Sequence, residues 1–186
     1  MTTTVYFIRH CTVDYTGNPN SDLTVSLSQE GWLQAKKLEE NWDIPVSKIY
    51  SSPLPRAIQT TTPLSHKLGR RIFQVKDLRE LDYKGNAQEF HRRIVSNINF
   101  KFKGGESISQ ANERFKQIVT KLCEINKGQS IIISTHGTVL SEFLIQQFKF
   151  PPDFFFRLSY PDVYKVLYID SKFRFSKRCL EYLPYV

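Results

Sequence analysis

Two histidines stand directly behind the two most apolar runs of this chain. His10 follows Val5-Tyr6-Phe7-Ile8-Arg9, and His136 follows Ser130-Ile131-Ile132-Ile133-Ser134-Thr135. An unbroken apolar run of that length suits a strand buried on both faces, as in a parallel sheet covered by helices. The carboxyl ends of such strands open onto the ligand crevice of an α/β sheet. Arg9, His10 and His136 are therefore candidates for groups held rigidly at the mouth of a site; polar residues where a strand leaves the core are the plainer alternative. Gly137 and Thr138 open a helix after His136, so fresh helix N–H groups face the same crevice and suit an anion. Arg56 falls in the first turn of another helix, where a cation opposes the helix dipole. Either it grips an anion that those N–H groups also attract, or it forms a surface salt bridge. Asp77, Glu80 and Asp82 lie within six residues of one another; they decorate the surface, or one of them sits as a carboxylic acid over the site.

The elements that must carry these groups alternate between strand and helix. Cys11 to Leu27 reads as a long loop, dense in turn residues from Asp14 to Asp22, and borders Arg9-His10. Ser28 caps a helix to about Trp42, with Trp32, Ala35, Leu38 and Trp42 on its buried face. A short strand, Lys48 to Tyr50, leads to a second helix from about Pro53 to Leu68, with Ser52 as its cap and Pro55 and Pro63 expected to shorten or kink it. Arg71 to Val75 makes a third strand, followed by a charged loop that turns at Tyr83-Lys84-Gly85, and Gln88 to Val95 a short helix. Phe100 to Gly105 is a basic connection. Ser107 caps a helix to about Ile125, and the helix after His136 runs through Val139, Phe143, Leu144 and Phe148. Val163 to Ile169 and Phe173 to Leu180 form an antiparallel hairpin joined at Asp170-Ser171-Lys172. Phe148, Phe150, Phe154, Phe155 and Phe156 read as core or rim.

The 186 residues make a single domain, 1–186, long enough to bury a core without staples. A net charge of +8 favours acidic partners, but the basic residues are scattered in short pairs such as Lys36-Lys37 and Arg92-Arg93, so no nucleic-acid stripe is expected. No apolar run approaches the roughly 20 residues of a membrane span and no leader pattern opens the chain, so no membrane partner is expected. Cys11, Cys123 and Cys179 make neither a disulfide framework nor a zinc spacing; a reducing, cytoplasmic location and no metal follow.

Ile8-Arg9-His10, Ser51-Ser52-Pro53-Leu54-Pro55-Arg56-Ala57, Leu78-Arg79-Glu80 and Ser134-Thr135-His136-Gly137, in that order, resemble the histidine phosphatase superfamily, the phosphoglycerate mutase-like proteins. Leu27-Ser28, Gly31, Gln34-Ala35 and Gly104-Gly105-Glu106-Ser107 match it as well. The resemblance implies a three-layer α/β/α sandwich with a mostly parallel central sheet. It implies His10 as the phospho-accepting histidine, Arg9, Arg56 and His136 as the phosphate-pocket groups and Glu80 as proton donor, with no cofactor and no metal. Those residue types suit the chemistry. A neutral imidazole attacks phosphorus without prior deprotonation, arginine grips two phosphate oxygens, and a carboxylic acid protonates the leaving alkoxide. A protonated His136 is expected once phosphate binds.

Cys11 stands where the family usually has glycine, and Thr16 where it commonly has asparagine; Thr16, Gly137 and Thr138 are the further expected phosphate contacts. In a cationic pocket the Cys11 thiol would have a lowered pKa and be open to oxidation; as a small buried filler it would be inert. The expected activity is hydrolysis of small phosphate monoesters through a phosphohistidine, in a monomer or homodimer. Mutase-type phosphoryl transfer, or a catalytically weak phospho-ligand-binding regulator, are the alternatives.

Overall fold

The computed structural model describes residues 1–16, 24–82, 96–101 and 104–182. The expected turn at Tyr83-Lys84-Gly85, the helix from Gln88 to Val95 and the middle of the loop after Cys11, including Asn18, lie outside the described residues.

Strand β1 (Thr3–Arg9) explains the layering. Successive side chains of a strand point to opposite faces. Val5 and Phe7 enter one core with Phe115, Val119, Phe143 and Leu144, while Tyr6 and Ile8 enter another with Leu38, Trp42 and Leu64. Both faces are thus apolar and both are covered. Helices α1 (Gln29–Asn41) and α2 (Pro55–Leu68) cover one, and α3 (Ile108–Ile125) and α4 (Gly137–Phe148) the other. The result is the three-layer α/β/α sandwich.

The sheet adds β2 (Lys48–Ser51), β3 (Ile72–Gln74), β4 (Ser130–Thr135), β5 (Asp162–Ile169) and β6 (Lys172–Arg178), in the order β3-β2-β4-β1-β5-β6. β3, β2, β4 and β1 run parallel, whereas β5 is antiparallel to β1 and to β6. Asp170 and Ser171 join β5 to β6 with φ of 50° and 60°, the left-handed pair that a tight hairpin turn requires. Register matters most at one edge. Arg9 pairs with Thr135 and Asp162, and Ser51 pairs with Ser134, so β1, β2 and β4 end level and β5 begins beside them. His10 N–H donates to the Thr135 carbonyl at 3.1 Å and Ser52 N–H to the Ser134 carbonyl at 2.9 Å, which carries the row one residue past the strands.

Two local expectations are corrected. Trp32 is 43% exposed; α1 instead buries Gly31, Gln34, Ala35 and Leu38. The helix is set by close approach: a Cβ on Gly31 would lie 2.0 Å from the Thr12 carbonyl oxygen, so the turn facing Thr12 takes glycine and Trp32 beside it is turned outward. Helix α2 begins at Pro55 after Leu54 and runs through Pro63 to a left-handed Gly69. Ser52 is not its cap, because the Ser52 hydroxyl is turned toward His136.

Candidate active site

The level strand ends bring His10, Ser52 and His136 into one row, and α2 turns Arg56 back over it. His10 is buried, its ring centroid 5.3 Å from that of His136. Its Nδ1 lies 2.8 Å from the Cys11 carbonyl, and Arg56 Nε lies 3.3 Å from its Nε2. A carbonyl only accepts and a guanidinium only donates, so Nδ1 carries the proton and Nε2 presents its lone pair. Burial, then the Arg56 charge, then Arg9 push the His10 pKa well below its ordinary value, against a small opposing effect of the Cys11 carbonyl. The imidazole is neutral, with one named nitrogen available to attack.

His136 is fully buried. Its Nε2 lies 2.7 Å from the Ser52 hydroxyl, and its Nδ1 finds no partner among the described residues. Burial first, then Arg56 and His10, lower its pKa well below the ordinary value, so this ring is neutral in the ligand-free protein. Arg56 is 2% exposed, which removes the surface salt-bridge alternative.

Arg9 is 4% exposed and closes the row on the β5 side. Its Nη1 donates to the Leu158 carbonyl at 2.9 Å and to the Ser159 carbonyl at 3.3 Å, and its guanidinium carbon lies 3.5 Å from the centre of the Tyr160 ring. Gly137 forms the opposite wall: a Cβ there would meet Arg9 Nη2 at 3.0 Å and Phe155 at 3.1 Å. The segment that anchors Arg9 is itself tied down by Asp162. This fully buried carboxylate accepts from Ser159 N–H, the Tyr164 hydroxyl, and Arg178 Nε and Nη2 at 2.8 Å each.

Glu80 approaches from the loop after β3. Its carboxylate accepts from the N–H groups of Thr138 at 3.0 Å and Val139 at 3.3 Å, and from Leu81 N–H at 2.8 Å. It thereby caps α4, whose own N-cap residue, His136, makes no side-chain cap. Its charge is close enough to act on Arg9. Two histidines, two arginines and a carboxylate thus meet at the carboxyl ends of three parallel strands.

Residues 5–179 match the sequence pattern of the histidine phosphatase superfamily, branch 1. The chain belongs to that superfamily. It is 28% identical over 134 residues to phosphoglycerate mutase-like protein 4 of Arabidopsis thaliana, a match covering 63% of this chain and 58% of that relative's length. The fold superposes on a phosphoserine phosphatase from Entamoeba histolytica, crystallised with 3-phosphoglyceric acid. The TM-score is 0.79 at 18% identity, over 95% of this chain and 96% of that one. It superposes on a phosphoglycerate mutase from Bacillus anthracis with a TM-score of 0.77 at 18% identity, over 95% and 92% of the two chains.

Within this superfamily member, one expected contact lies apart from the cluster and another has its amide already engaged inside it. Thr16 is exposed, and both its amide and hydroxyl bond to Asp14, at 2.8 and 2.6 Å. The Thr138 amide is held by Glu80. Of the two readings of Cys11, the structure favours the small buried filler. The thiol is fully buried beside Leu27 and Ala35, and burial pushes its pKa up to about 12 against a smaller lowering by Thr60, the opposite of an activated thiolate. Sequence reasoning missed Ser52 as the partner of His136, Tyr160 over Arg9, and the Asp162–Arg178 pair. Ser52 sits inside a quoted motif, so its signal was present and assigned to the helix cap. Tyr160 and Asp162 carry no signal beyond a turn-forming proline at 161. Among the described residues, no helix is long and apolar enough to cross a membrane, and no three His, Cys, Asp or Glu side chains are grouped to hold a metal ion.

Proposed function

We propose that this chain hydrolyses small phosphate monoesters through a phosphohistidine on His10. The observation that carries the reading is the His10 tautomer: Nδ1–H is spent on the Cys11 carbonyl and Nε2 faces Arg56 as a lone pair. Attack by Nε2 on phosphorus forms the P–N bond as the bond to the leaving oxygen breaks. Arg9 and Arg56 hold the equatorial oxygens, on which charge spreads in the transition state. Glu80, a carboxylate in the ligand-free protein, takes the proton of the monoanionic phosphate ester and passes it to the departing alkoxide. It then takes one from water as that water attacks the phosphohistidine, which frees phosphate and restores His10. The buried, mostly neutral surroundings make the two guanidiniums the main counter-charge for the phosphoryl group. The phosphoserine phosphatase and phosphoglycerate mutase neighbours are named for small phosphorylated acids, which supports a substrate of that class.

The test is His10→Ala with an aryl phosphate and with phosphoserine. Turnover falls at least about 10³-fold, as for loss of a covalent nucleophile. Quenching the wild-type enzyme and labelled substrate in alkaline detergent leaves the label on the protein in an alkali-stable linkage that acid then releases, which phosphoserine and phosphoaspartate do not reproduce. Full activity in His10→Ala ends the proposal.

A further inference from the structure

Arg114 lies on α3, an element that supplies none of the residues so far given a role, and its guanidinium is directed at the backbone around Glu80. Nη1 donates to the carbonyls of Asp77 at 3.0 Å and Arg79 at 2.9 Å, and Nη2 donates to the carbonyl of Glu80 itself at 2.9 Å. Nε donates to both Glu106 oxygens, at 2.9 and 3.2 Å, and Nη2 also reaches Glu106 Oε1. Glu106 completes the frame from the other side. Its Oε1 accepts from Asp82 N–H at 3.1 Å, and its own N–H donates to the Asp82 carbonyl at 2.9 Å. The backbone is therefore gripped at 77, 79, 80 and 82, on both flanks of the carboxylate that caps α4. Arg114 and Glu106 are only 14% and 15% exposed. Burial would raise the Glu106 carboxyl, but the Arg114 bonds and charge outweigh it and hold it below its ordinary value, as a permanent anion.

A surface ion pair would not need this arrangement. Five guanidinium N–H groups in a fixed fork suit several carbonyls and one carboxylate at once, and lysine cannot copy that geometry. The segment from Lys76 to Asp82 contains one 3₁₀ turn, Lys76–Leu78, and no strand. Without the clamp, the segment keeps Leu78, Leu81, the Thr135 hydroxyl bond to the Leu78 carbonyl and the bonds of the Glu80 carboxylate to α4, none of which fixes the backbone at 79 and 82. A displacement of about 1 Å in a catalytic group can cost about 10²-fold in rate.

We infer that the Arg114–Glu106 pair is a positioning device for the proton donor, acting on the reaction through Glu80. The inference rests on the proposed role of Glu80, and the experiment separates the two. kcat/KM reads the chemistry through release of the first product. It is measured for an alkyl phosphate, whose alkoxide must be protonated, and for 2,4-dinitrophenyl phosphate, whose phenolate leaves unaided. In Arg114→Met and in Glu106→Gln, kcat/KM on the alkyl phosphate falls about 10- to 100-fold. On the dinitrophenyl ester it stays within about threefold, as does affinity for orthovanadate, which shows the pocket intact. Arg114→Lys does not restore the alkyl activity. Equal losses on both esters, or no loss on either while Glu80→Gln shows the leaving-group dependence, overturn the clamp alone. A Glu80→Gln variant without leaving-group dependence overturns the proton-donor reading beneath it. Glu106→Gln preserves shape and charge-free hydrogen bonding, so the comparison survives should Arg114→Met fail to fold.

Discussion

The two sides of the pocket are built by different means. His10 and His136 follow directly on strands, and hydrogen bonds of the sheet itself fix where they stand: a strand register and one backbone bond past its end. Glu80 and Arg9 are fixed by side chains from far along the chain. Arg114 reaches the Glu80 carbonyl across 34 positions, and Arg9 Nη1 reaches Leu158 across 149. Backbone ladders tolerate substitution because every residue type supplies the same N–H and C=O. Clamps made of side chains do not. Each of the two depends on a buried or nearly buried acid paired with arginine, Glu106 with Arg114 and at longer range Arg79, and Asp162 with Arg178. On the proposed mechanism, the attacking histidine is carried by the sheet, whereas Arg9 and Glu80 lean on remote ion pairs.

The sharpest way to break that contrast is at Asp162. Asp162→Asn leaves Arg178 without its counter-charge and turns an amide toward the Ser159 N–H. Stability in urea drops by about 3 kcal/mol, and KM for an aryl phosphate rises about tenfold as the carbonyls that aim Arg9 loosen, with kcat changed less. An unchanged KM in a folded variant would move Arg9 into the group held by the sheet alone. A smaller effect concerns the strand-held side. His10 and His136 have pKa values below the unfolded value of about 6.5, so the unfolded chain binds more protons as pH falls. Their contribution to stability is complete above about pH 6.5 and is lost progressively below it, at up to about 1.4 kcal/mol per pH unit for each ring. Urea melts at pH 7.5 and 5.5 check the sign; equal midpoints contradict it. The smallest effect is at Cys11, between the two sides. With its thiol raised to about 12 and fully buried, iodoacetamide at neutral pH leaves activity unchanged over hours, and Cys11→Ala keeps kcat/KM within about threefold. Rapid inactivation traced to Cys11 would make it part of the reactive surface.

The strand-held half was the legible half. A buried parallel strand announces itself as an apolar run, and the residue after it has one place to go, so His10 and His136 could be paired from sequence pattern alone. Arg56 was visible as a cation set against a helix dipole, though its burial was not. Glu80 was one of three nearby acids until the family resemblance singled it out, because nothing in Asp77 to Asp82 says which side chain meets α4. The Arg114 clamp left only the Glu106 motif as a trace, since the arginine that completes it sits two helical turns further on among ordinary surface residues. Trp32 shows the complementary failure. Hydropathy placed the large ring inside, but the backbone of Thr12 passes so close to α1 that only Gly31 fits beneath it.

The strand that leads into His10 precedes its two neighbours in the sheet, β4 and β5, by more than a hundred residues. Such long-range pairing is slow to form and sets the pace of folding. During synthesis β1 emerges with neither lateral partner available, and His10 acquires its setting only after residue 162 has left the ribosome. If His10 is the nucleophile proposed above, catalytic competence is among the last properties this chain acquires, and a nascent fragment that stops short of β5 has none by this route.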